Sequence, residues 1–131
     1  MLVFASLTVL SARAQAEPDS DSGKVHHVVI IWLKQAGDEQ ARRQYITGSA
    51  GLAELPGVVS YDLGTPASIK RSHVNPAIDE SYDVAVSSVF ESREAYEAFL
   101  THPEYLRVAQ QVLRPLVERY KVFDFIEGRE D

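Results

Sequence analysis

The 131-residue sequence contains no cysteine, which excludes disulfide frameworks, thiolate zinc sites and thiol nucleophiles together. Cationic charge is also scarce. Thirteen Lys and Arg stand against 19 Asp and Glu, a formal net charge of −6, with no basic cluster to offset it. Such a surface repels nucleic-acid phosphates, so no nucleic-acid partner is expected. A phosphate-cradling loop is missing, because Gly48-Ser49-Ala50-Gly51 carries no lysine, and no G-x-S-x-G serine signature occurs. Four scattered histidines lack the i, i+4 or H-x-H spacing of metal ligands, so no metal site is expected. No apolar run approaches the roughly 20 residues of a membrane span. What is present is enough for one folded domain: 45% of the residues are apolar, too many for a disordered chain.

The N-terminus reads as an address. An apolar run, Leu2 to Leu10, leads into the A-x-A stretch Ala14-Gln15-Ala16, although no Lys or Arg precedes the run. At about ten residues the run suits a signal peptide over residues 1–16, with export to the periplasm or beyond after cleavage near Ala16. Residues 17–23 (EPDSDSG) form an acidic tether, residues 24–126 the folded domain, and residues 127–131 a C-terminal tail.

Within the domain, residues 25–34 (VHHVVIIWLK) are β-branched and apolar on both faces, which predicts a central strand. Asp38 caps a helix over residues 39–55, with Ala41, Tyr45, Gly48, Leu52 and Leu55 on one face, ended by Pro56-Gly57. Strands follow over residues 58–64 and 82–90, separated by a polar loop at 65–81. In the third strand Tyr82, Val84, Val86, Ser88 and Phe90 share a face. Ser92 caps a short helix, and Thr101 with Glu104 has capping-box spacing for a second one carrying Leu106, Ala109, Leu113 and Leu116 inward. Residues 120–126 complete the set as a strand.

The order β-α-β-β-α-β predicts an α+β, ferredoxin-like fold, a four-stranded antiparallel sheet with helices on one face. A chain this short has nothing left to cover the other face. A second copy placed sheet against sheet would do so, making a homodimer.

The residues then resemble a family. His27-Val28-Val29-Ile30-Ile31-Trp32-Leu33-Lys34, Leu55-Pro56-Gly57-Val58, Tyr82-Asp83, Phe90-Glu91-Ser92, His102-Pro103-Glu104-Tyr105 and Val122-Phe123-Asp124-Phe125 fall in the order found in the stress-responsive A/B barrel (Dabb) family. The resemblance covers roughly residues 26–125. It implies a dimeric α/β barrel, no organic cofactor, and either stress-associated roles or cofactor-free polyketide cyclisation. Cyclase members place a general-base histidine two residues after the proline of the His-Pro segment, where this chain has Tyr105. They place a tyrosine three residues before its histidine, where this chain has Phe99. A phenol of ordinary pKa near 10 is a poor base, and Phe99 has no proton to exchange, so cyclase chemistry does not transfer.

The ligand-pocket candidates are therefore His27, Phe99, His102, Tyr105 and Tyr82. His27 shares the parity of Val29, Ile31 and Leu33. It either enters the space between sheet and helices as a site residue or is a strand histidine satisfied by a carbonyl or carboxylate, and the residues alone favour the second. His102 most simply serves the junction between two helices. His26 and His73 are expected to face solvent, and Asp83 and Asp124 to pair with His27 or Arg107. Two functions follow. The preferred one is an exported homodimer that binds a small apolar or aromatic ligand without strong catalysis. The alternative is a cofactor-independent cyclase-, isomerase- or monooxygenase-like enzyme using His27 with pocket tyrosines.

Overall fold

A computed structural model describes residues 23–128; the expected signal peptide over residues 1–16 and most of the expected tether lie outside the described residues. Strands β1 (Val25–Leu33), β2 (Val58–Gly64), β3 (Val84–Phe90) and β4 (Val117–Ile126) form one sheet in the order β2-β3-β1-β4, every pair antiparallel. Helices α1 (Glu39–Ala50), α2 (Arg93–Leu100) and α3 (Pro103–Arg107) complete the ferredoxin-like arrangement. The central place of β1 follows from its β-branched composition, since both of its edges are paired.

Odd-numbered residues of β1 and even-numbered residues of β3 face the helices. Ile31, Leu33, Val84, Val86 and Phe90 are buried there against Ala41, Tyr45, Leu52, Phe99, Val108 and Leu113. The opposite face pairs His26 with Phe125 and Val28 with Phe123 across β1 and β4. His26 stacks on Phe125 at 4.6 Å and bonds Glu127, so it is half-buried on this face and does not simply point to solvent. Phe123 and Phe125 are more than half exposed.

Several boundaries differ from the expectation, each for a local reason. The first helix is α-helical only to Ala50; Gly51–Glu54 is a 3₁₀ turn, because Gly51 weakens the helix and the chain must reach Gly57. Gly57 has φ +83°. The third strand starts at Val84: Asp83 still donates its amide to the Ile31 carbonyl at 2.9 Å, but Tyr82 falls outside the ladder. His102, not Thr101, caps α3: its Nδ1 accepts the amide of Glu104 at 3.1 Å. The chain then widens into a π-helix, Val108–Leu113, before a 3₁₀ turn, Arg114–Leu116. An i→i+5 repeat brings Val108 and Leu113 to the same inner side. Leu106, expected inward, is instead exposed. Gly48 permits this packing, since a Cβ there would lie 2.7 Å from Val112.

Candidate functional site

Between the helix-side face of β1 and β4 and the helical layer lies a cavity of about 160 Å³. Its walls include Val29, Ile31, Leu52, Val86, Leu113 and Val122, with Tyr45, Tyr61, Phe99, Tyr105 and Tyr120 supplying rings. Tyr120 and Val122 on the edge strand β4 are partly exposed, which places the opening there. Phe90, Phe99 and Tyr105 pack as a continuous aromatic chain, with centroids 4.8 and 4.7 Å apart.

His27 forms part of the wall. Register places Asp124 directly opposite it on β4, and Asp124 Oδ1 stands 2.5 Å from His27 Nδ1. Tyr96, reaching in from α2, has its hydroxyl 2.9 Å from the same Nδ1 and donates to Asp124 Oδ2 at 3.3 Å. One proton assignment satisfies all three groups. Nδ1–H donates to the carboxylate and the phenol oxygen, while the phenol donates to the other carboxylate oxygen. Nε2 is then left with its lone pair, and it has no hydrogen-bond partner among the described residues. The ring's side chain is only 13% exposed. Burial, followed by the charge and hydrogen bond of Asp124, pushes the Tyr96 phenol well above its ordinary range, so it stays protonated as a donor.

The phenols of Tyr45, Tyr61 and Tyr105 are held neutral as well. Burial raises Tyr45, reinforced by Tyr61 and Tyr105, and it raises Tyr105, reinforced by Tyr120. Burial also raises Tyr61 despite its 2.7 Å hydrogen bond with Ser49. They can therefore donate hydrogen bonds to an oxygen in the cavity but cannot act as bases near neutral pH. Among the described residues no group of three or more His, Cys, Asp or Glu is placed to hold a metal. No helix among them is long and apolar enough to cross a membrane.

Of the residues singled out by sequence, His27, Phe99 and Tyr105 meet at this cavity. His102 does not line it and instead caps α3, and Tyr82 precedes β3 outside the lining. Asp83 pairs with Arg42, at 3.1 Å, and with neither His27 nor Arg107; Arg107 bonds Glu104. Tyr96, Tyr45, Tyr61, Tyr120 and Arg114 were not anticipated as site residues. Tyr96 lies 69 positions from its partner His27. Only the packing of α2 on the sheet brings them together, so no local motif could have marked it.

The arrangement occurs in a recognisable setting. The family model for the stress responsive A/B barrel domain, Dabb, matches residues 25–127. A Dabb family protein with a ferredoxin-like fold from Mesorhizobium loti superposes with a TM-score of 0.66 at 21% identity, covering 82% of this chain and 99% of that one. Hydroxynitrile lyase from Passiflora edulis superposes with a TM-score of 0.65 at 21% identity, covering 84% and 98%. A dimeric ferredoxin-like protein of unknown function from Thermobifida fusca gives 0.62 at 19% identity, covering 81% and 92%. No curated protein sequence matches the chain. At these identities the structural likenesses carry the fold alone, but the family model spans nearly the whole described domain, and by that match the chain belongs to the stress responsive A/B barrel domain (Dabb) family.

Proposed function

We propose that this Dabb domain binds a small, largely apolar ligand in the helix-side cavity and that His27 exchanges a proton with it, without a cofactor. The carrying observation is the Asp124 contact to Nδ1. It selects the imidazole tautomer protonated on Nδ1 and leaves the Nε2 lone pair of this cavity-lining histidine free to accept a hydrogen bond or a proton. An imidazole held by a carboxylate is the usual arrangement for moving a proton to or from a bound oxygen or an acidic carbon. The neutral phenols would orient that ligand and stabilise charge developing on its oxygen. The Passiflora edulis neighbour, a hydroxynitrile lyase, makes cyanohydrins and aryl ketones a reasonable first panel.

The test is turnover of such a panel by the purified protein and by His27→Ala. The reading expects measurable turnover, lost by on the order of 10²–10⁴-fold in the variant, with the melting temperature preserved. No turnover by the parent, together with a lowered melting temperature in His27→Ala, would make His27 structural and leave binding alone.

The domain is also proposed to act as a homodimer through the outer sheet face, where Phe123 and Phe125 stand exposed. Support comes from that uncovered apolar face and from dimeric neighbours of the same fold in Thermobifida fusca and Bacteroides fragilis. Export rests on the pattern of residues 2–16, and N-terminal sequencing of the protein from its host tests it, with Glu17 expected first.

A further inference from the structure

The cavity has two polar ends and an apolar middle. Along β1 and β4 the register pairs His27 with Asp124 and Ile31 with Tyr120. Four residues of strand separate these rungs by about 13 Å. At the far end the 3₁₀ turn Arg114–Leu116 places Arg114 in the wall beside Tyr120, its guanidinium carbon 5.9 Å from the ring centroid.

Arg114 differs from its better-engaged counterparts. Arg42 is tied to Asp83, Arg107 to Glu104, and Arg119 lies 3.7 Å over Trp32. Arg114 has no carboxylate within 4.0 Å among the described residues, and its distance to Tyr120 is near the outer limit of a cation–π contact. The surroundings sharpen the point. The chain carries 19 acidic residues and a net charge of −6, yet among the described residues no Asp or Glu lines this cavity, and Arg114 is the only permanently charged residue lining it. Arg114 is itself exposed at the rim beside Tyr120, so solvent screens part of its charge, but it is the cation that a ligand meets at that end of the cavity. Tyr105 and Tyr120 add phenol hydroxyls with no hydrogen-bond partner among the described residues.

We infer that the ligand of this cavity is an anion, a carboxylic acid with an apolar stem or ring, whose carboxylate is held by Arg114 while its body lies along Phe99 and Val29. The inference rests on the reading of the cavity as a small-ligand site. It adds the ligand's charge and its orientation, with the carboxylate at the Tyr120 end and the reactive part toward His27. Guanidinium suits a carboxylate because two parallel N–H donors match its two oxygens.

A matched pair of probes separates charge from shape: 3-phenylpropionate and its neutral amide, 3-phenylpropionamide. Kd for each is measured by NMR titration against the parent, Arg114→Gln and Arg114→Lys, with melting temperatures as folding controls. The expected result is carboxylate binding about ten-fold or more tighter than amide binding in the parent. That preference should vanish in Arg114→Gln, through a loss of carboxylate affinity much larger than any change in the amide Kd, and survive in part in Arg114→Lys. Added salt should weaken the carboxylate only. Equal binding of both probes by the parent, or a preference that persists in Arg114→Gln, overturns the inference while leaving the small-ligand reading intact. Binding of neither probe overturns the small-ligand reading for this class and the inference with it.

Discussion

Asp124 faces His27 across the β1–β4 ladder, its Oδ1 2.5 Å from Nδ1. The carboxylate can only accept, so it selects the tautomer protonated on Nδ1. Long-range ¹H–¹⁵N spectra of the parent should show His27 with a protonated Nδ1 and a bare Nε2. Asp124→Asn offers an amide that can also donate, and part of the population should shift to the Nε2–H form, with any turnover falling by on the order of 10²-fold or more. A parent already protonated on Nε2 would remove the base from the proposed chemistry.

A second carboxylate is purely architectural. Asp83, 1% exposed, accepts the amides of Leu33 and Gly37, each at 2.8 Å, and Arg42 Nε at 3.1 Å. Burial alone would raise its pKa and is the largest single influence. The two amides and the guanidinium together outweigh it and hold the carboxyl below its ordinary value. Asp83→Ala leaves two amides and a partly buried cation without a partner, and should cost about 3–5 kcal/mol in chemical denaturation. The sign with pH follows from the depressed folded pKa. The contribution is complete above the unfolded value of about 3.9 and is lost as pH falls below it toward the folded value. The parent should therefore lose stability more steeply than Asp83→Asn over that acid range. Parallel acid profiles would refute the assignment.

Much of this was legible in the residues and some was not, for physical reasons. Strand parity placed His27 on the helix side because period-2 alternation is intrinsic to an extended chain. Layer order followed from β-α-β-β-α-β. Leu106 was misplaced because the inward face was read at an α-helical period, whereas the chain from Val108 to Leu113 is a π-helix. Thr101 and Glu104 have capping-box spacing, but the cap is His102, whose Nδ1 accepts the Glu104 amide, in line with its reading as the residue serving the helix junction. Tyr96 and Arg114 join the site only through tertiary packing, which no local pattern encodes.

Gly57 tests the turn into β2. Its φ of +83° is a region that side chains rarely adopt, and a Cβ would lie 2.8 Å from that of Ala95 in α2. Gly57→Ala should destabilise by about 1–3 kcal/mol through strain and overpacking together. The companion Gly51→Ala has open space around the new methyl and an ordinary φ, so it should be neutral or slightly stabilising in the same denaturation experiment. Equal effects at both positions would contradict the geometry.

The outer face makes a separate prediction about assembly. Phe123 and Phe125 project from β4 on the side away from the helices, 56% and 52% exposed. The double change Phe123→Glu, Phe125→Glu should convert a dimer to a folded monomer in light scattering coupled to size exclusion, because two buried like charges oppose close sheet-on-sheet contact. The circular dichroism spectrum should not change, since neither ring belongs to the helix-side core. A dimer that survives the substitution would place the interface elsewhere.

The cavity phenols predict behaviour in alkali. Burial disfavours the phenolate at Tyr45, Tyr61 and Tyr105, so each holds its proton in the folded protein above the ordinary value near 10. The unfolded chain releases those protons at about pH 10 while the folded one keeps them. The stabilisation is thus complete below pH 10 and declines as pH rises beyond it. Urea midpoints should hold steady to about pH 9 and fall progressively above 10, with tyrosinate absorbance at these positions appearing only as the protein unfolds. Tyr45→Phe removes one strongly shifted group without emptying its place in the core, so its midpoint should fall less steeply over the same range. A parent whose midpoint is flat through that range would show that the phenols are not held in the low-dielectric wall described for them.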